Sequence, residues 1–177
     1  MRKKKINELQ RVGLEQFKAL LKVPLVVVLD DVRSLYNVGS IFRTADAFCL
    51  AGIALCGITA CPHHPEIHKT ALGAEDAVEW RHFASVMEAI DLLRDEGYKI
   101  CAIEQAHGSV SLQQFIVNPH EKYAVVFGNE VRGVHQEAVD KCDFCIEIPQ
   151  YGTKHSLNVS IAAGITMWHF FTSLYGK

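Results

Sequence analysis

Residues 25–56 read LVVVLDDVRSLYNVGSIFRTADAFCLAGIALC, and the order of patterns in this stretch decides the fold. Leu25 to Leu29 is a short, unbroken apolar run rich in β-branched residues, as expected of a strand buried on both faces. Polar residues follow from Asp30, then Val38 to Cys49 carries a helical pattern, and Ile53 to Cys56 reads as a second strand. Further strand candidates are Ala77 to Trp80, Lys99 to Ile103, Ala124 to Phe127 and Phe144 to Ile148, separated by helical patterns at Val86 to Glu96 and Gln136 to Lys141. A last helix runs from about Asn158 to Tyr175. Strands alternating with helices predict the α/β class, with a mostly parallel sheet and helices on both faces.

The chain has 177 residues, 49% of them hydrophobic, which is enough for one domain with one sizeable core. Six cysteines without a charged-then-apolar leader predict reduced thiols in a cytoplasmic protein. The longest apolar stretches, Ala45 to Cys61 and Ile161 to Leu174, are both interrupted, so no membrane span is expected. The net charge of −2 is unevenly placed. Arg2, Lys3, Lys4, Lys5, Arg11, Lys18 and Lys22 face only Glu8 and Glu15 within residues 1–22, so a basic arm precedes an acidic body. Such an arm suits phosphates, although a solvated terminus accounts for it equally simply. Ile6, Leu9, Phe17, Leu20 and Leu21 share one helical face, which predicts that residues 1–22 form a basic helical extension to a domain of residues 23–177. The last helix is apolar nearly all round. Its second side is covered either by another subunit or by the sheet and the N-terminal helix together.

Several chemistries are excluded by what is missing. Gly128-Asn-Glu-Val-Arg-Gly133 has the glycine spacing of a phosphate-binding loop, but Val134 and His135 stand where Lys and Ser/Thr are required. The first strand is not followed by G-x-G-x-x-G, and no G-x-S-x-G elbow occurs. Cys61, His63, His64 and His68 lie close together and Cys142 and Cys145 have zinc-like spacing, but no second pair completes a zinc signature, so no metal is expected.

Three segments carry candidate chemistry. In Asp30 to Phe48, Asn37 is expected as the cap of the helix, Gly39 as a point of close approach, and Arg43 as an anion-gripping group one to two turns in. Pairing with Asp46 would explain Arg43 without function. In Val125 to Val134, a strand runs into a glycine-bracketed turn bearing Glu130, either an orienting carboxylate or a surface partner of Arg132. In Ile146 to Gly164, a strand ends at Pro149 and a polar loop leads to Ser156 and Asn158, donors that capping alone would also explain.

The order and spacing of these segments resemble the three motifs of the SpoU-type, or TrmH-like, RNA ribose 2′-O-methyltransferases of the SPOUT superfamily, from Leu25 essentially to the C-terminus. The resemblance implies a C-terminal trefoil knot, a homodimer with its active site at the subunit boundary, S-adenosyl-L-methionine as cofactor and RNA as substrate; for so minimal a chain tRNA is expected rather than rRNA. By position it implies that Arg43 is the catalytic arginine, with Asn37, Glu130, Ser156 and Asn158 as polar neighbours. Gly128, Ile148 and Leu157 are implied as backbone contacts to the cofactor, with Glu104 a further candidate. Lys154-His155 departs from the commoner acidic or apolar pair, and no appended RNA-binding domain is expected. The alternatives are a non-catalytic RNA-binding protein that kept the fold and a base-nitrogen methyltransferase.

Overall fold

The computed structural model describes residues 1–5, 8 and 11–175. The N-terminal strand β1 (Val23–Asp30) is buried along nearly its whole length, as its unbroken apolar run requires. It alternates between two cores. Leu25, Val27 and Leu29 face one side and Val26 and Val28 the other. The remaining strands are β2 (Leu50–Cys56), β3 (Trp80–Phe83), β4 (Tyr98–Ile103), β5 (Val110–Ser111), β6 (Lys122–Phe127) and β7 (Phe144–Glu147). They form one seven-stranded sheet of order β3-β2-β1-β6-β4-β7-β5. Every pairing is parallel, which establishes the α/β class expected from the alternation.

One face carries α2 (Leu35–Ala47), α3 (Pro65–Ala71) and α7 (Val159–Leu174), whose Ile41, Phe42, Ile67, Met167 and Phe170 close the larger core. Phe170 packs into an aromatic group with Phe115 (tilted) and Tyr123 (edge-to-face), at centroid distances of 5.7 and 5.2 Å. The other face carries α5 (Val86–Asp95) and α6 (Gln136–Lys141), with Ala89, Ile90, Leu93 and Ala138 inward. The short helices α1 (Leu14–Ala19) and α4 (Ala74–Ala77) pack on each other at the sheet's β3 side.

Several expectations need correction. The strand expected at Ala77 to Trp80 begins only at Trp80, because Gly73, with φ of +92°, opens a helical turn that takes up Ala74 to Ala77. Helix α3 lies in a segment for which no helix was expected, capped by His64, whose ring accepts from the Glu66 N–H, and started by Pro65. Among the described residues the N-terminal α-helix spans Leu14–Ala19, with Phe17 buried and Leu20 and Leu21 exposed; Ile6 and Leu9 lie outside the described residues. Helix α7 buries Ala163, Met167, Phe170 and Leu174 against β1 and α2, while Ile161, Ile165, Trp168 and Tyr175 stay 55%, 41%, 55% and 62% exposed on its far side. Neither the sheet nor α1 covers that stripe.

Candidate functional site

From β1 the chain moves outward through β2 and β3, while β6 and β4 lie on the other side, so the strand order reverses between β1 and β6. Open α/β sheets bind ligands outside the carboxyl ends of strands at such a reversal. A cleft of about 1210 Å³ opens there, walled by the residues that leave β4, β6 and β7.

The wall that follows β6 is a loop folded on itself. Asn129 and Gly133 exchange backbone hydrogen bonds at 3.1 and 2.8 Å, and the Asn129 side-chain oxygen accepts from the N–H groups of Val131 and Arg132. Gly128 has no room for a Cβ, which would fall on the Gly133–Val134 backbone. Gly133, at φ of +70°, lies against the Glu104 carboxylate. That carboxylate accepts from the Val134 N–H at 3.0 Å and the Gln105 N–H at 2.8 Å, tying the loop to the end of β4. On the other side, the Asn129 amide donates to the Asp31 carbonyl at 2.7 Å.

Glu130 reaches from this loop to the start of α2. Its oxygens accept from the N–H groups of Arg33 and Ser34, both at 3.0 Å, and from the Asn37 side-chain amide at 3.1 Å. Partial burial acts to raise its carboxyl, but these donors outweigh it and hold the group below the ordinary glutamate value. A carboxylate at a helix N-terminus also meets the positive end of the helix dipole. Asn37 is buried, so both ends of its amide need partners. Its oxygen accepts from the Asn158 amide at 3.2 Å. Asn158 in turn caps α7, accepting from the Ser160 N–H and hydroxyl at 2.9 and 2.6 Å. A continuous chain of bonds thus runs Glu130–Asn37–Asn158, joining all three motif segments.

Asn37 does this from within α2; the cap is Ser34, three residues earlier, which accepts from the Asn37 N–H. The close approach at Gly39 is made by the protein itself, since a Cβ there would strike the Ile67 carbonyl and Thr70 hydroxyl of α3. Gly128, Ile148, Leu157, Glu104 and Ser156 all line the cleft. Ser156 is exposed and does not act as the α7 cap. The neighbouring His155 carbonyl is held by the Gln105 side-chain amide at 2.8 Å.

Arg43 stands apart. Six residues beyond Asn37 on an α-helix is about 9 Å along the axis and roughly 120° around it. The side chain is exposed, away from the cleft wall, and has no hydrogen-bond or ion-pair partner among the described residues. Asp46 does not pair with it. Burial raises the Asp46 carboxyl, and the charges that oppose this are Lys22 and Arg11.

Thiol chemistry has no support. Cys145 lines the cleft, but burial pushes its thiol up, and burial likewise lifts Cys142 and Cys56 to about 12, leaving all three protonated at neutral pH. The His-rich segment does not converge on a metal. His64 caps α3, and His68 pairs with Glu75 at 2.5 Å. Asn129 and Gln105, which fasten the cleft walls, were not singled out in the sequence. The Gly-Asn turn signal pointed to the former, and nothing pointed to the latter.

The model of the SpoU rRNA Methylase family matches residues 24–168. A Staphylococcus aureus protein named as a TrmH family tRNA/rRNA methyltransferase is 31% identical over 158 residues, which make up 89% of this chain and 62% of that protein. The chain therefore spans about three fifths of that curated relative's length. Among solved structures, an AdoMet-bound rRNA methyltransferase from Sinorhizobium meliloti superposes with a TM-score of 0.80 at 29% identity, covering 90% of this chain and 61% of that one. A TrmH/SpoU tRNA modifying enzyme from A. aeolicus gives a TM-score of 0.78 at 26% identity, covering 90% and 81%.

Proposed function

The chain belongs to the SpoU rRNA methylase family, and from that premise we propose that it is an S-adenosyl-L-methionine-dependent methyltransferase acting on a ribose 2′-hydroxyl of RNA, with tRNA favoured over rRNA. The observation that carries the reading is the Glu130–Asn37–Asn158 chain at the mouth of the cleft, which ties the three motif segments into one preorganised wall. The cleft suits the cofactor. Ile148 and Leu157 offer apolar surface to a base, Gly128 lines the wall beside them, and Glu104 and Ser156 supply polar atoms for a ribose and an amino-acid tail.

When bound, S-adenosyl-L-methionine supplies a methyl group on a sulfonium, already a good leaving group. The residues of this chain then have to align the 2′-hydroxyl and assist loss of its proton. A guanidinium with a pKa above about 12 is a poor proton acceptor. In this reading Arg43 grips the adjacent phosphate with its planar fork and polarises the hydroxyl, Ser156 or Asn158 positions it, and the hydroxyl proton passes to solvent as the methyl group is transferred.

Within one chain Arg43 does not reach the cleft, and this favours a homodimer in which the exposed α7 stripe seats a second copy and the site lies at the boundary. The same reading includes the C-terminal trefoil knot, a methyltransferase domain of residues 23–177, a basic arm of residues 1–22 that contacts RNA, and a cytoplasmic location. Among the described residues no helix is long and apolar enough to cross a membrane.

The test is incubation with methyl-labelled cofactor and unmodified total RNA, followed by alkaline digestion. Label in alkali-resistant dinucleotides is expected, because a methylated 2′-oxygen cannot attack the neighbouring phosphate, and the size of the labelled RNA separates tRNA from rRNA. Label confined to mononucleotides would replace this reading with base methylation. Absence of label despite cofactor binding would favour an RNA-binding protein that kept the fold.

A further inference from the structure

At the end of β1, Asp30, Asp31 and His135 bring their ligand atoms within 4.8 Å of one another. Asp30 is buried, and its Oδ2 accepts from the His135 ring Nδ1 at 2.8 Å and the His135 N–H at 3.3 Å. An imidazole nitrogen held by a carboxylate carries the proton. In the neutral ring the other nitrogen then presents a lone pair. That nitrogen, Nε2, faces Asp31 Oδ2 at 3.9 Å, too far for a hydrogen bond. The other Asp31 oxygen already accepts from the Ile58 N–H at 2.9 Å, which leaves Oδ2 turned towards the ring. Two electron-rich atoms are thus aimed at one gap beside a buried carboxylate, and among the described residues neither aspartate pairs with a lysine or arginine.

We propose that His135 and Asp31 form a divalent-cation site, with Asp30 as the carboxylate that orients the imidazole, and that the bound ion fastens the Gly128–His135 loop to the end of β1. Metal bonds of about 2.0–2.2 Å to nitrogen and oxygen span the gap at an angle of roughly 140°. A modest swing of the partly exposed Asp31 side chain brings this towards tetrahedral, with water completing the shell. Metal-ligating histidines usually donate their other ring N–H to a carboxylate in this way, which fixes the ring's orientation. Imidazole with carboxylate suits zinc, cobalt or a similar transition ion rather than magnesium. The ion takes no part in methyl transfer. It is a structural clamp on one wall of the cleft, and it departs from the expectation of no metal.

The test is titration of the chelator-treated full chain with Co²⁺, read by visible absorption and by thermal unfolding. Wild type is expected to develop the absorption of a nitrogen- and oxygen-ligated ion and to unfold at a higher temperature with metal than without. Asp31→Asn and His135→Gln should each weaken binding at least tenfold and remove the thermal shift, and Asp30→Asn should weaken it by about 10–100-fold. Asp31→Asn keeps the oxygen that accepts from Ile58, so it remains informative if His135→Gln folds poorly. His64→Ala should leave the titration unchanged. Equal Co²⁺ affinity and spectra in wild type, Asp31→Asn and His135→Gln would overturn the site, as would failure of wild type to bind at millimolar metal; Mg²⁺ is the negative control.

Discussion

Arg43 and Glu130 sit at opposite extremes of engagement, one without a hydrogen-bond or ion-pair partner among the described residues and the other bonded by three donors, and substitutions should separate them. Because Arg43 makes no hydrogen bond or ion pair among the described residues, Arg43→Lys should leave stability within about 0.5 kcal/mol. It should nonetheless lower methyl transfer at least about 100-fold, since a point charge does not replace a planar, bidentate donor aimed at developing charge. Near-normal turnover of that variant would exclude the phosphate-gripping role. Glu130→Gln is expected to cost about 1 kcal/mol at neutral pH, a figure kept small by the group's exposure. The folded-state value of Glu130 is depressed, so its contribution is present above the unfolded value and lost as pH falls through the folded one. Urea unfolding should show the gap between wild type and Glu130→Gln closing as pH drops below about 4.5, the ordinary glutamate value. Spacing in the sequence selected Asn37, Glu130 and Asn158, but the bonds between them cross 93 and 121 positions and left no local trace. Both Ser34 and Asn37 are good caps, and the choice between them was made by where α2 meets the Glu130 loop rather than by propensity.

Among the elements, the pair α2 and α3 is joined at Gly39, where the Ile67 carbonyl lies in the space a methyl would need. Gly39→Ala should therefore destabilise the protein by about 1–3 kcal/mol without changing its helical content, measurable by urea unfolding and circular dichroism. Helix α3 escaped notice in the sequence because a segment with three histidines and two prolines resembles a loop; Pro65 at its first turn was the signal available. Strand β3 was displaced by three residues because Ala77 to Trp80 alternates well enough for a strand, whereas the left-handed Gly73 that commits Ala74 to Ala77 to a turn is a tertiary decision. Helix α7 was legible both in place and in its all-round apolar character. Ile161→Glu and Ile165→Glu alter side chains that are 55% and 41% exposed in the single chain, so each should fold. If a second copy covers the stripe, each should halve the mass seen by light scattering and reduce methyl transfer together. An unchanged mass would remove the homodimer from the reading.

At the scale of the whole molecule, charge is separated along the chain, and the exposed basic residues Arg2, Lys3, Lys4 and Lys5 precede the folded body. Changing all four to Ser should weaken RNA binding and flatten its dependence on salt, because each phosphate contact that is lost removes one released counterion. A salt slope equal to that of wild type would show that the arm does not touch RNA. The α/β class and parallel sheet were legible from alternation alone, since strands buried on both faces leave a nearly continuous apolar run. The order of strands was not, because β6 and β7 return to positions that periodicity does not encode. That order has a kinetic consequence. Of the seven strands β1 is synthesised before the others, yet one of its two edges is completed only by β6, with Val28 pairing to Val126, and one of its faces only by α7. At a synthesis rate of about 5–20 residues per second, Val28 waits roughly 5–20 s for that partner. A strand that is buried on both faces in the finished sheet thus spends this interval with an open edge, and the nascent chain, more than the finished protein, is where chaperone dependence and aggregation should be sought.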